Sequence, residues 1–270
     1  MKLLSGSELV DFIKERQAKQ VRNLKQAHGI VPRLAIVRCD EGNTVIDTYV
    51  RLKQAYAQDI GMEVEVYAET PETVQEVVRK LNERLDVHGV IVQFPVVPAE
   101  LGDRLVETVS PMKDVDGLAP KSLFDPATPM AILWLLAGYN ITLEHVAIIG
   151  RGRLVGAPLE KMLRNSGVDV VSYGRDDATH LAEKLADARV IIAATGQPGL
   201  ITSSMVAPRA VVVDAGTASE NGVVVGDLAD DVRERQDITI TPKYGGVGPL
   251  TVAALFDNVL RAARAQTQAR

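Results

Sequence analysis

The chain has 270 residues, of which 46% are hydrophobic and 24% are charged, and its formal net charge at pH 7 is −5. This composition is typical of a globular protein with enough length for one large or two modest domains. The acidic balance argues against a nucleic-acid surface, and no window approaches the roughly 18 unbroken apolar residues of a membrane span.

Cysteine and histidine usage excludes further classes. The single cysteine, Cys39, excludes an intramolecular disulfide framework and a cysteine cluster for zinc. The four histidines are far apart in the chain and lack metal-ligand spacing, so we expect no metal. The opening "MKLLSGSELV" turns polar too early for the apolar core of a signal peptide. We therefore expect a soluble, cytoplasmic protein.

The N-terminal part of the chain alternates between helical and strand patterns. A long helix, capped by Ser5 or Ser7, is predicted over "ELVDFIKERQAKQVRNLKQAH". After it we predict a strand in "RLAIVRC", a helix from Thr44 to Ile60, a strand in "MEVEVY", a helix that starts at Pro71 and a strand in "HGVIVQF".

A second series of strands is predicted in "HVAIIG", "VDVVSY", "ARVIIAA" and "AVVVDAG", with helices between the first three. Such alternation implies parallel strands with helical crossovers. The chain is therefore predicted to be an α/β protein with two lobes, the C-terminal one a Rossmann-like doubly wound parallel sheet. We place one domain at residues 1–120, with a final helix at 249–270 packing back on it, and the other at 121–248.

A glycine-containing turn, "GRGRLVGAP", follows the first strand of the second series. Gly150, Gly152 and Gly156 are spaced one residue more widely than in the usual dinucleotide motif, so a tight strand-to-helix turn explains them equally well. The strand before and the helix after favour a phosphate site, because backbone N–H groups at a helix start bind pyrophosphate. Arg151 and Arg153 add positive charge beside the turn.

The next strand ends where a doubly wound fold places the adenosine ribose. Ser172 and Tyr173 occupy this end in place of an acidic residue, and Arg175 follows. A guanidinium pairs well with a 2′-phosphate, which favours NADP over NAD. Two alternatives remain open: Asp176 and Asp177 could neutralise the arginine, or it could be a solvated loop residue.

Polar residues in the N-terminal part form a second constellation. Tyr49 and Lys53 are four residues apart on one helix face, Gln93 ends a strand, and Asp114 and Asp116 lie in the loop "PMKDVDG". A partly desolvated lysine can act as an acid or base, a tyrosine ring can stack on a heteroaromatic substrate, and an aspartate can accept paired N–H bonds from an amino-pyrimidinone ring. Each of these residues also has a purely structural interpretation that is equally valid. Lys53 would be a solvated helix residue, Gln93 a strand-end cap and Asp116 a turn residue.

The chain contains, in this order, "TYVRLKQAYAQDIGM", "GVIVQFP", "PMKDVDG", "ATP", "GRGRLVGAP", "ATGQPGLI", "GDL" and "TPKYGGVGPLT". In these segments it resembles the bifunctional methylenetetrahydrofolate dehydrogenase/methenyltetrahydrofolate cyclohydrolase family over nearly its whole length. The resemblance implies a cleft between two lobes, a folate-binding catalytic N-terminal lobe, an NAD(P)-binding C-terminal lobe and a homodimer joined through the cofactor lobes. It implies oxidation of methylenetetrahydrofolate with NADP, then hydrolysis to 10-formyltetrahydrofolate, without a metal.

The resemblance also implies roles for individual residues. Lys53 matches the family's catalytic lysine, Tyr49 the tyrosine that stacks on the folate ring, Gln93 the glutamine that orients the lysine and Asp116 the aspartate that holds the pterin. The residues that match the binding positions for folate are Gly248 and Pro249, and those expected around the dinucleotide are Gly150, Arg151, Gly152, Arg153, Val155, Arg175, Gly196 and Thr217.

Several positions depart from the family pattern. Gly152 and Ile46 stand where serines are expected, Phe94 replaces a leucine, and Lys243 and Tyr244 lie beside the substrate loop. Loss of a serine near the lysine is expected to lower the cyclohydrolase activity more than hydride transfer.

Two other functions fit the pattern. One is a two-lobed amino-acid or hydroxy-acid dehydrogenase in which Lys53 is the base and "KDVDG" is a turn. The other is a non-catalytic NADP-binding module that senses redox state and contacts a partner through its N-terminal lobe.

Overall fold

The structure, a computed structural model, describes residues 1–40, 42–220 and 223–268. Its α-helices are α1 Gly6–His28, α2 Thr44–Ile60, α3 Val74–Glu83, α4 Ala99–Thr108, α5 Ala127–Gly138, α6 Gly156–Asn165, α7 Leu181–Leu185, α8 Asp230–Arg233 and α9 Val247–Gln268. Its strands are β1 Lys2–Leu3, β2 Arg33–Arg38, β3 Glu63–Ala68, β4 Gly89–Gln93, β5 Val146–Ile149, β6 Val170–Tyr173, β7 Val190–Ala193, β8 Val211–Asp214, β9 Ala218–Glu220, β10 Val223–Val225 and β11 Thr239–Ile240.

The N-terminal strands form a three-stranded parallel sheet in the order β3-β2-β4. The central strand β2 is buried from Leu34 to Val37, which explains its unbroken apolar sequence. The register pairs Arg38 with Gln93, so β2 and β4 end together at the carboxyl edge of the sheet. Helix α2 follows β2 at this edge and carries Lys53.

Local signals account for the limits of helix α2. The side chain of Asn43 accepts from the backbone N–H groups of Val45 and Ile46, which satisfies donors that have no partner inside the helix. Gly61 adopts the left-handed conformation that ends the helix. The prediction of a helix from Thr44 to Ile60 is confirmed. Helix α3, in contrast, begins at Val74 and not at Pro71 as predicted.

The C-terminal strands form a six-stranded sheet in the order β1-β11-β8-β7-β5-β6. All of its strand pairs are parallel. Strand β5 has β6 on one side and β7 on the other, so the chain reverses its direction of winding at β5. Ligands of open α/β sheets bind at such a switch point, outside the carboxyl ends of the strands. The predicted α/β class with a Rossmann-like sheet is confirmed.

By internal contacts, Met1–Val10 groups with Thr128–Thr251, and Asp11–Ala127 groups with Val252–Arg270. The predicted domain 1–120 differs from this grouping at its start. Strand β1 pairs with β11 through Lys2 and Thr239 and so belongs to the C-terminal sheet. A two-residue strand has no periodicity from which it could be predicted. The assignment of the two units to folate and to NAD(P) stays a prediction.

Among the described residues, no helix has the length and apolar character to cross a membrane. No group of three or more His, Cys, Asp or Glu side chains in the described part of the chain is arranged to hold a metal ion.

Candidate functional site

Lys53, Gln93 and Tyr49 lie together in the N-terminal unit. The Lys53 Nζ donates to Gln93 Oε1 at 2.7 Å, and Gln93 Nε2 donates to the carbonyl oxygen of Phe94 at 2.9 Å. The second bond orients the amide so that its oxygen faces the lysine. The Nζ atom lies 5.9 Å from the centroid of the Tyr49 ring. A lysine, an acceptor and an aromatic face are therefore brought to one place.

The electrostatic environment of Lys53 makes its amine a usable proton carrier. Burial lowers the pKa of Lys53 below its ordinary value, and the negative charge of Asp116 opposes this shift. Desolvation disfavours the ammonium form, so the neutral amine becomes accessible nearer to neutral pH. An amine in this state can give or take a proton during a reaction.

The same surroundings shift the pKa of Asp116 in the opposite direction, upwards. Burial raises the pKa of Asp116 to about 6, the charge of Lys53 lowers it and Asp114 raises it further. Because Lys53 and Asp116 each act on the pKa of the other, their charges are coupled. This pKa lies below neutral pH, so the ionised carboxylate predominates there and can accept hydrogen bonds from a ligand.

The other charged residues of "KDVDG" hold the loop. The Asp114 carboxylate accepts from Ala119 N at 2.8 Å. Lys113 Nζ donates to the carbonyl oxygens of Leu81 and Arg84, at the C-terminal end of α3, at 3.0 and 2.5 Å. Sequence reasoning missed this role of Lys113, for which the local sequence contains no signal. Asp116 is thus the carboxylate of this loop that is coupled to Lys53.

In the C-terminal unit, the glycine turn packs directly on a neighbouring loop. Gly150 has a φ of +109°, and a Cβ atom there would lie 2.3 Å from the carbonyl oxygen of Ala194, after β7. A Cβ at Gly156 would lie 1.8 Å from the carbonyl oxygen of Gly150. These two glycines are therefore required by close packing. Gly152 has no atom within 4 Å of a built Cβ, so a side chain fits there.

The predicted dinucleotide residues lie at the carboxyl edge of the six-stranded sheet. Four strands of this sheet, β5 to β8, are parallel and end at the same edge. The segments that follow them carry Gly150, Arg151, Gly152, Arg153 and Val155 after β5, Arg175 after β6, Gly196 after β7 and Thr217 after β8. Helix α6 begins just after Val155, so its N-terminus also lies at this edge.

The arginines near β6 differ in their partners. Arg151 donates through Nη2 to the carbonyl oxygen of Ser172 at 2.7 Å and lies 3.5 Å from Asp177 Oδ2. Asp177 also pairs with Lys184 and accepts from Gly174 N at 2.8 Å. Arg175 is exposed and, within the described residues, forms no ion pair. Asp177 therefore pairs with Arg151 and Lys184, and leaves Arg175 available.

Gly248 and Pro249 lie in the first turn of α9, which begins at Val247 and so two residues earlier than predicted. By contacts they group with the C-terminal unit, whereas Lys53 and Asp116 belong to the N-terminal one. Their predicted contact with folate stays a prediction.

Comparison with known proteins covers both units. Residues 4–116 match the family described as tetrahydrofolate dehydrogenase/cyclohydrolase, catalytic domain, and residues 126–267 match its NAD(P)-binding domain. The bifunctional protein FolD of Lactobacillus acidophilus is 35% identical over 280 residues, which cover 98% of both chains.

Solved structures agree with this assignment. The bifunctional enzyme FolD-methylenetetrahydrofolate dehydrogenase/cyclohydrolase from Campylobacter jejuni is 32% identical, with a TM-score of 0.90 over 98% of this chain and 99% of that one. The methylenetetrahydrofolate dehydrogenase-cyclohydrolase of Trypanosoma brucei, complexed with NADP cofactor and inhibitor, is 27% identical, with a TM-score of 0.90 over 98% of both chains. The chain therefore belongs to the tetrahydrofolate dehydrogenase/cyclohydrolase family.

Proposed function

We propose that this chain oxidises methylenetetrahydrofolate to methenyltetrahydrofolate with NADP and then hydrolyses the product to 10-formyltetrahydrofolate, in one-carbon metabolism. The observation that carries the proposal is the Lys53–Gln93 hydrogen bond in an environment coupled to Asp116. It supplies a proton carrier and a ligand acceptor in a chain of this family.

The residues at the carboxyl edge of the C-terminal sheet fit NADP. The tight turn at Gly150 and the N-terminus of α6 favour a pyrophosphate, because the positive end of the helix dipole attracts anions there. Arg175 is exposed and suits the 2′-phosphate, and Arg151 and Arg153 add positive charge in the turn after the neighbouring strand β5. Gly196 and Thr217 lie on the loops that would border the cofactor. NADP, when bound, supplies the hydride acceptor.

Residues of the N-terminal unit bind the folate and take part in its hydrolysis. Tyr49 offers its ring face for stacking, Asp116 accepts N–H bonds from the pterin, and Gln93 holds the Lys53 amine in place. Lys53 takes a proton from the water that attacks the methenyl carbon and returns it when the ring opens. The methenyl group is already a cation, so positioning and electrostatics suffice without a metal.

The test is a reduction assay on the purified chain. NADP reduction that requires methylenetetrahydrofolate, followed by loss of the methenyl absorbance, supports the proposal. Turnover with amino or hydroxy acids alone would favour the other dehydrogenase, and NADP binding without any turnover would favour the redox-sensing module.

We also propose a cytoplasmic homodimer joined through the C-terminal units, on the basis of the family resemblance. One chain has a mass of 29.2 kDa, so light scattering at twice this mass is the expected result.

Arg175→Ala is expected to reduce the preference for NADP over NAD. Removal of a charge-assisted pair with the 2′-phosphate should lower kcat/KM for NADP about tenfold to a hundredfold and leave that for NAD within about twofold. Initial rates with both cofactors measure this. Arg189→Ala is the matched control, because Arg189 is exposed but precedes β7 and so lies at the opposite edge of the sheet. Equal losses with both cofactors would contradict the assignment.

Gly152→Ser is expected to strengthen NADP binding. The site has room for a side chain, and one added hydroxyl donor near the phosphate should lower the Kd about twofold to tenfold. Titration calorimetry measures the Kd. Gly152→Ala adds the same Cβ without the hydroxyl, so an equal effect of both variants would show that no hydrogen bond is gained.

A further inference from the structure

Asp227, in the segment "GDL", is a buried carboxyl group that none of the roles above uses. It is 0% exposed, and its Oδ2 atom accepts from Thr195 N at 2.6 Å. Its Oδ1 atom has no hydrogen-bond partner among the described residues. A buried polar atom without a partner is costly, so its position calls for a physical explanation.

The Asp227 carboxyl also touches the loop after β8. A Cβ built at Gly216 would lie 2.1 Å from Asp227 Oδ1, and its three nearest atoms all belong to Asp227. One carboxyl group thus contacts the loop after β7 through Thr195 and the loop after β8 through Gly216. These loops carry Gly196 and Thr217, the residues proposed to border the cofactor.

A second buried carboxylate, Asp214, lies beside Asp227 but has its own cation. Asp214 Oδ2 is 2.6 Å from Arg233 Nη2, and Asp214 Oδ1 accepts from Gly216 N at 3.2 Å and from Asp227 N at 3.0 Å. Asp227 forms no ion pair within the part of the chain that the structure describes. Burial and the charge of Asp214 raise the pKa of Asp227, which favours its neutral form.

We propose that Asp227 is a positioning residue of the cofactor site, whose carboxyl group joins the loops after β7 and β8 and so fixes Gly196 and Thr217 at the edge of the sheet. The inference rests on the proposed function, because it takes these loops to be the cofactor loops. Burial and the charge of Asp214 disfavour the ionised carboxylate, which lessens the cost of leaving Oδ1 against the Gly216 backbone without a donor.

The test uses Asp227→Ala and Asp227→Asn in the full chain. Asp227→Ala should raise the Kd for NADP, measured by titration calorimetry, and the KM for NADP about tenfold to a hundredfold. Asp227→Asn keeps an acceptor for Thr195 N and is neutral, so its Kd should stay within about threefold of the wild-type value. Hydrolysis of methenyltetrahydrofolate without NADP should be unchanged in both variants.

Gly216→Ala perturbs the same contact from its other side. The new Cβ would displace the Asp227 carboxyl, so this variant should raise the Kd for NADP as Asp227→Ala does. In the Asp227→Ala background the same substitution should add little, because the atoms that it meets are gone.

Asp231→Ala is the matched control. Its carboxylate also holds a loop, by accepting from Ser203 N at 3.0 Å, but Asp231 is exposed and Ser203 is not one of the residues expected around the cofactor. NADP affinity should not change.

An unchanged Kd for NADP in Asp227→Ala would overturn the inference. So would an equal loss of NADP-dependent oxidation and NADP-independent hydrolysis with a lowered Tm, because that pattern indicates a general structural role. If the wild-type chain binds NADP but does not oxidise methylenetetrahydrofolate, the proposed function fails, and the Kd series still decides the role of Asp227.

Discussion

Lys53→Met is expected to abolish the hydrolysis of methenyltetrahydrofolate while NADP binding stays intact. Methionine keeps much of the length and apolar volume of the side chain but removes the amine that donates to Gln93 Oε1. Loss of a positioned proton carrier should lower kcat about 10²-fold to 10⁴-fold. The rate of loss of the methenyl absorbance measures this step directly.

Two further measurements separate a catalytic role for Lys53 from a structural one. Lys80→Met is the matched control, because Lys80 lies in the same unit but its side chain is 70% exposed, and hydrolysis should be unchanged. The Kd for NADP and the Tm should be close to wild type in both variants. Hydrolysis by Lys53→Met at the wild-type rate would disprove the assignment.

Asp116→Asn is expected to weaken folate binding and to stabilise the fold at neutral pH. The amide replaces one acceptor by a donor that faces the pterin N–H groups, so the KM for methylenetetrahydrofolate should rise about tenfold to a hundredfold. The Kd for NADP should not change. Initial rates and calorimetry measure the two constants, and an unchanged KM would contradict the proposed contact with the pterin.

The gain in stability follows from the sign of the pKa shift of Asp116. The pKa of an unperturbed aspartate is 3.8, and that of Asp116 in the folded chain is about 6. Below the lower value the group is protonated in both states. As the pH rises through this window the unfolded chain loses the proton first, so the folded state is progressively destabilised up to about pH 6.

Asparagine carries no charge and avoids this penalty. The free energy of unfolding of Asp116→Asn should therefore exceed that of the wild type by up to about 3 kcal/mol at neutral pH, and the difference should shrink towards acid pH. Urea unfolding across this pH range measures it. Asp86→Asn is a control for which the change in the free energy of unfolding has the opposite sign. The Arg84 guanidinium lowers the pKa of Asp86 to about 2, so this substitution should destabilise the chain at neutral pH.

The ends of helices such as α2 could be predicted from the sequence, because the residues that start and stop a helix act locally. An Asn cap, an apolar period and a glycine in the left-handed conformation act within a few residues. The order of motifs also pointed to the family. It brought Lys53, Gln93 and Asp116 into one hypothesis before any distance between them was known.

Contacts between segments that are distant in the chain could not be predicted from such local signals. The bond from Lys53 to Gln93 spans 40 residues and depends on the register that pairs β4 with β2. The pairing of β1 with β11 involves two residues on each strand, too few for a periodic signal. The partners of Lys113 are backbone carbonyl oxygens, which no side-chain pattern identifies.

The amino-acid sequence by itself thus determined the α/β class, the family and the residues that carry the proposed chemistry, because patterning, caps and motif order are properties of the chain read along its length. Only the tertiary structure decided what surrounds those residues. The shifted pKa values of Lys53 and Asp116 arise from burial and from each other's charge. The contact of Asp227 with two loops arises from the parallel packing of β7 and β8. Burial, charge coupling and close approach depend on atoms that are distant in the chain and become neighbours only in the fold.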